Sequence, residues 1–216
     1  MIRRVLAALL AVILVYAVYL AGRIVVDRRT VSARVDAIIA AADPADIRLS
    51  PERTRILLRV EDPTFLTNKG LDFGTPGAGN TTVSQSLGKR LFFKRFEPGF
   101  AKGELIALTR FALYPEVDKQ RTLQAFLATA YFGHREGRAV VGMGPAARVL
   151  FGRSLPALDD RQFLSLIAMG PAPNTLDPRR HAAANAKRVA RIERLLANQC
   201  QPSGLSDVML EGCAVR

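Results

Sequence analysis

The chain has 216 residues, 49% of them hydrophobic, which is enough for one compact core and too little for two large ones once a membrane segment is subtracted. Lysine and arginine outnumber acids by 31 to 19, and the resulting charge of +12 calls for an anionic partner such as nucleic acid, a phospholipid surface or a pyrophosphate-bearing ligand. Nucleic acid fits least, because the arginines are scattered and the chain has no Trp and no aromatic-basic platform.

Residues 5–22 form an uncharged run rich in Leu, Val and Ala, with Arg3 and Arg4 before it and Arg23 after it. As a helix rising about 1.5 Å per residue it nearly spans a hydrocarbon layer of about 30 Å. Tyr16 and Tyr19 lie near its far end, where amphipathic rings favour the interface. The small-x-small cleavage rule fails at Tyr19-Leu20-Ala21, so residues 1–27 read as a retained transmembrane anchor rather than a signal peptide. Charges on its two flanks balance and do not set its orientation. Residues 28–50 read as a stalk helix with Val31, Val35, Ile38 and Ile39 at helical spacing, stopping at Asp43-Pro44.

Ser50-Pro51-Glu52-Arg53 supplies an N-cap and a proline at the first helical position, opening a helix through Ile56, Leu57, Leu58 and Val60 that delivers Glu61 at its end. Four glycines and a proline in residues 69–82 make a loop. Apolar residues then recur at helical spacing through Val83, Leu87, Leu91 and Phe92, and, after Glu97-Pro98-Gly99, through Leu105, Leu108, Phe111 and Ala112. The pattern repeats over 118–131 with Leu123, Phe126 and Leu127, closed by Gly133, and again over 145–151, 159–169 and 182–198. No β-hairpin and no βαβ alternation is expected, so the fold class is mostly α, with one domain over 51–198 and a tail over 199–216. Cys200 and Cys213 both fall in that tail. In an oxidising compartment they can close a small loop that pins the carboxy terminus, and otherwise they are two thiols on a loose end. His134 and His181 stand far apart without partners, so no zinc site and no metal-ligating residue is assigned.

Glu61 and Asp62 are neighbours at a helix end. Adjacent helical positions do not share a face, so a shared-proton dyad is not expected. One glutamate in a partly apolar wall can have its pKa raised and act as a general base, although a solvated helix end explains the pair as well.

The spacing Glu61-Asp62-x-x-Phe65-x-x-x-x-Gly70-x-Asp72, followed by Gly79-x-Thr-Thr82-x-Ser-Gln85-x-Leu87-x-Lys89-x-Leu-Phe92, resembles glycosyltransferase family 51, the peptidoglycan transglycosylases. Weaker echoes of that family continue at Glu104, at Leu123 to Gly133, at Gly144 to Gly152 and at Met169 to Pro178. The resemblance implies a lysozyme-like helical domain, held by one transmembrane helix on the periplasmic side of a bacterial inner membrane. It implies that the protein polymerises lipid II: the acceptor 4-hydroxyl attacks the anomeric carbon of the growing glycan, which departs from undecaprenyl pyrophosphate. Glu61 would take the proton, and Lys89 with Lys94 or Arg95 would neutralise the pyrophosphate. Glu104 would orient the reacting groups or help hold a divalent cation, Mg or Mn, on the leaving phosphates. Thr82, Ser84 and Gln85 would donate hydrogen bonds from the start of their helix. The partners implied are lipid II, nascent glycan, membrane lipids and a separate transpeptidase, and no nucleic acid.

The chain departs from the family pattern at several places. Asn68 stands where the first signature has histidine, Ser86 where the second has a second glutamine, and Arg90 where it has asparagine. Gln124 replaces a glutamate, Ala128 an asparagine, and Phe100-Ala101 a basic pair. Gln124 can hydrogen-bond but carries no charge. These losses raise an alternative, a catalytically impaired scaffold that binds lipid II or glycan during wall assembly. A lysozyme-like hydrolase would need a second carboxylate across the cleft.

Overall fold

A computed structural model describes residues 1–77, 79 and 81–215. The first helix, α1 (Ile2–Ala41), joins the expected anchor and stalk into one uninterrupted rod of 40 residues. Its first part is long and apolar enough to cross a membrane, and the apolar window is not buried by the rest of the chain. Its second part docks. Val31 and Val35 are fully buried in a cluster with Leu87, Leu91, Leu108 and Ala112, so the rod enters the domain as a packed core element.

The helices that follow are α2 (Pro51–Glu61), α3 (Val83–Phe92), α4 (Phe100–Leu108), the single turn α5 (Tyr114–Glu116), α6 (Lys119–Thr129), α7 (Met143–Phe151), α8 (Asp160–Ile167) and α9 (Ala182–Leu196). Their starts follow the sequence. Ser50 accepts from the Arg53 N–H with Pro51 behind it, Asp118 caps α6, and Thr82–Gln85 and Asp159–Gln162 form full capping boxes. Between α4 and α5 the rod widens into a π-helical turn, Thr109–Leu113, a feature that hydrophobic spacing does not reveal. A second, larger core gathers Leu57 and Val60 with Met143, Ala147, Leu166, Ile167 and Ile192. Towards the carboxy end of α2, just before Glu61, Leu58 packs in a small third cluster with Phe65 and Val83.

The fold is mostly α, as expected, with one correction. A β-hairpin pairs β1 (Tyr131–Arg135) with β2 (Arg138–Val141) in antiparallel register, His134 opposite Ala139. Its two-residue turn is Glu136-Gly137, both at positive φ, the backbone of a tight hairpin turn. Glutamate is an unusual first residue for that turn, and an irregularity between Tyr131 and His134, around Gly133, breaks the alternation. Both features hid the strands.

The tail is not loose. Cys200 and Cys213 form a disulfide, and Leu210 and Cys213 are buried in the larger core. Closing a loop of this length removes about 3 kcal/mol of unfolded-chain entropy.

Candidate active site

Glu61 ends α2 and faces a cavity of about 280 Å³, walled also by Thr82, Ser86, Lys89, Phe126, Gly170 and Arg188. A smaller chamber of about 80 Å³ lies on its other side, with Arg90, Tyr131 and Met143, and Glu61, Ser86, Phe126 and Gly170 belong to both walls. The carboxylate therefore stands at a junction between two spaces. Burial pushes its pKa up, the Arg188 guanidinium pulls it back down, and Asp62 adds to the rise. That environment makes the carboxylate a stronger base than a solvated glutamate.

Asp62 does different work. It is fully buried; one carboxylate oxygen accepts from the Val83 N–H at 3.0 Å and the other from the Asn68 amide at 2.8 Å. The pair thus divides as helix geometry dictates, with Glu61 on the cleft and Asp62 tying the end of α2 to the start of α3. Asn68, in the place of the family histidine, also accepts from the Gly70 N–H at 3.0 Å and the Lys119 ammonium at 3.0 Å. Its amide both donates and accepts, so the substitution leaves this joint intact.

Lys89 lies one turn before the end of α3. Desolvation lowers its pKa, and the nearby charges of Lys102 and Arg90 lower it further. Lys89, in the wall of the larger cavity, thus has two cationic neighbours, Lys102 and the Arg90 of the smaller chamber, and a doubly charged anion beside them would relieve their repulsion. Lys102 lies two residues before Glu104, directly after the Phe100-Ala101 pair that stands in place of two basic residues. Its ammonium reaches the Thr81 hydroxyl at 3.5 Å. The end of α3 is close to the long apolar rod, because the Arg23 guanidinium donates to the Phe92 carbonyl at 3.2 Å.

Other expected residues sit elsewhere. Gln85 is fully buried and its side-chain oxygen accepts from the Thr82 N–H, so it braces the helix start and does not reach the cavity. Ser84 is also buried, and Ser86 is the serine that lines the cleft. Thr82 does line it, with its hydroxyl donating to the Gly70 carbonyl at 2.7 Å. Lys94 and Arg95 are exposed beyond α3, and Arg95 pairs with Glu97 at 3.6 Å. Glu104 is outside both walls, its carboxylate 3.9 Å from Arg23 at the root of the anchor. Gln124 lines a separate groove with Lys119 and Leu123.

Sequence reasoning missed Arg188 and Gly170. Arg188 is 3% exposed and shares the buried face of α9 with Asn185, Ile192 and Leu195. An arginine on an apolar stripe was the signal that could have found it. At Gly170 an added Cβ would lie 2.5 Å from the Glu61 Oε1, so the glycine makes room for the carboxylate. Gly170→Ala is expected to fold normally and to push that carboxylate aside, lowering kcat by up to about 100-fold, since displacements near 1 Å carry that cost. Steady-state rates beside a melting curve check it, and an unchanged kcat would remove the close-fit argument.

Among the described residues no three His, Cys, Asp or Glu side chains gather where they could hold a metal ion, and Glu104 is engaged with Arg23. No step below runs through a divalent cation. Neither cavity wall includes a second Asp or Glu, so the acid-base pair that hydrolysis of a glycoside requires is missing from the cleft.

A family model described as transglycosylase matches residues 43–197, which include every wall residue of the cleft except Val208. The chain belongs to the transglycosylase family. It is similar to a biosynthetic peptidoglycan transglycosylase of Burkholderia cenocepacia (strain HI2424), 31% identical, with 70% of this chain and 68% of that protein covered. The same name is borne by relatives from Burkholderia ambifaria (strain MC40-6) and Burkholderia multivorans (strain ATCC 17616 / 249). Each is 31% identical, with 68% of this chain and 63% of the relative covered. As a transglycosylase the chain keeps Glu61 and Lys89 on one cleft while much of the polar setting around them has changed.

Proposed function

We propose that the protein is a membrane-anchored peptidoglycan glycosyltransferase that polymerises lipid II and releases undecaprenyl pyrophosphate. The observation that carries this reading is the junction itself: a glutamate of raised pKa between two chambers, with Lys89 in the same wall, near the root of an apolar rod. The acceptor 4-hydroxyl oxygen attacks the donor anomeric carbon as its bond to the pyrophosphate oxygen breaks. The hydroxyl proton passes to Glu61, and the departing charge meets Lys89 and Lys102. The hydrogen bond from Arg23 of the rod to the Phe92 end of α3, the helix that carries Lys89, suits a leaving group that remains in the lipid, with the domain outside the inner membrane and cross-linking left to a separate transpeptidase.

Purified full-length protein in detergent, given labelled lipid II, is expected to build glycan longer than one disaccharide. Binding of lipid II with no polymer over many hours would overturn the enzyme in favour of the scaffold. Within the same assay Lys89→Ala is expected to lose about 100-fold or more in kcat/KM, the size of effect seen when one preorganised charge donor is removed. Lys94→Ala and Arg95→Ala, exposed and screened, are expected to change it less than about threefold and mostly at low salt. Equal losses at all three would mean that the anion is met outside the cleft.

A further inference from the structure

Past residue 197, where the family match ends, the chain turns back over the cleft. The disulfide closes the segment 200–213 into a strap, and Asp207 stiffens it by accepting from the Ser203, Glu211 and Gly212 N–H groups. On one side the strap holds the glycine-rich loop. The Gly77 N–H donates to the Gly204 carbonyl and the Gly79 N–H to the Leu205 carbonyl, each at 2.9 Å. Both glycines are at positive φ, and an added Cβ would meet Pro202 at 2.5 Å or Val208 at 2.6 Å. On the other side three arginines of α9 bind strap carbonyls: Arg188 to Val208 at 2.9 Å, Arg191 to Met209 at 2.9 Å and Arg194 to Cys213 at 3.1 Å. Val208 itself completes the wall of the larger cavity, beside Gly77 and Gly79.

We propose that the disulfide-closed strap 200–213 is a positioning element of the transfer site, fixing the Gly77 and Gly79 edge of the cleft and holding the Arg188 guanidinium where it faces Glu61. The proposal rests on the reading of Glu61 as the base. Arg188 is the link. It gives one nitrogen to Val208 and another to the Ile167 carbonyl at 3.3 Å, while its Nε is buried without a partner. Freed from Val208, the guanidinium is held by one carbonyl and can swing from Glu61. The same release frees two amides of the loop edge. The cross-link matters because the strap has no helix or strand of its own beyond one short turn at Glu211–Cys213, so its register against the loop depends on closure.

The test reduces the full-length protein in detergent with a dithiol, which turns the disulfide into two thiols and becomes a cyclic disulfide itself. Glycan formation is expected to slow between about tenfold and about 100-fold. Its acid limb is expected to move to higher pH, because Arg188 no longer lowers the Glu61 pKa; a purely structural strap would lower the melting temperature and leave that limb in place. Hydrogen exchange at Gly77 and Gly79 is expected to speed up. The Cys200→Ser/Cys213→Ser double variant should match the reduced protein and ignore the dithiol. Gly79→Ala, which forces Val208 away with the disulfide intact, should shift the limb the same way if the double variant does not fold. Faster exchange with unchanged rate and pH profile overturns the proposal, as do amides that stay protected after reduction. A Glu61→Gln variant as active as wild type would instead remove the reading of Glu61, and the exchange result would still judge whether the strap holds the loop.

Discussion

Glu61→Gln is expected to fold like the parent and to form glycan about 10²- to 10⁴-fold more slowly, the range that a positioned base contributes. Folding should survive because glutamine keeps the volume and removes a carboxylate that burial already disfavours. The pH dependence follows from the direction of the shift. A base must be unprotonated, and burial raises the pKa of Glu61, so the acid limb of wild-type activity should lie at higher pH than an ordinary glutamate would give. In the glutamine variant the residual rate should lose this acid limb. An acid limb that survives the substitution, or a rate within about threefold of wild type, would assign the base to another group.

The resemblance pointed to Glu61 and Lys89, and the chemistry behind the choice is local: a helix end, a glycine-rich loop and a second capped helix, all readable from neighbours in the chain. What sequence could not give was direction. Thr82, Ser84, Gln85 and Ser86 lie within five residues, yet a helix turns about 100° per residue, so Thr82 and Ser86 meet the cleft while Ser84 and Gln85 are buried against the fold. The buried Gln85 is spent on the capping box, which its spacing from Thr82 already announced. Glu104 fits the motif frame but is turned to Arg23, a partner 81 positions away that only docking of the anchor supplies. Arg188 and the strap were harder still. Each acts through contacts with distant segments, and the two cysteines allowed a closed loop as readily as a loose end, without saying what a loop would hold. The hairpin shows the opposite limit, where a local rule was present but its turn residue was atypical.

Asp62 yields the largest expected effect on stability. Burial raises its pKa from 3.8 to about 6, against the hydrogen bonds from Val83 and Asn68 and the charge of Lys119, while Asp72 adds to the rise. A carboxyl whose folded pKa is raised binds its proton more tightly folded than unfolded. Its stabilising contribution is therefore full below the unfolded value and is lost as pH rises through about 6. For a group as buried as this one, a rise of that size is worth about 3 kcal/mol. Glu61 acts in the same direction. Asp72, held down at about 2 by hydrogen bonds from Thr64, Gly74 and Thr75, acts in the opposite one, giving stability that is lost as pH falls from its ordinary 3.8 through about 2. Asp207 is lowered in the same way by the strap amides. Because only about half of that contribution is regained by pH 5, the melting temperature of the full-length protein should rise by roughly 3 to 5 °C from pH 7.5 to pH 5 and turn down below about pH 4. Asp62→Asn should flatten much of that rise, because asparagine has no proton to gain. A wild-type melting temperature that falls between pH 7.5 and pH 5, or an Asp62→Asn variant with the full slope, would sink the account. Activity should move the opposite way to stability, because the fall in pH that protonates Asp62 and steadies the fold also favours the protonated form of the base Glu61.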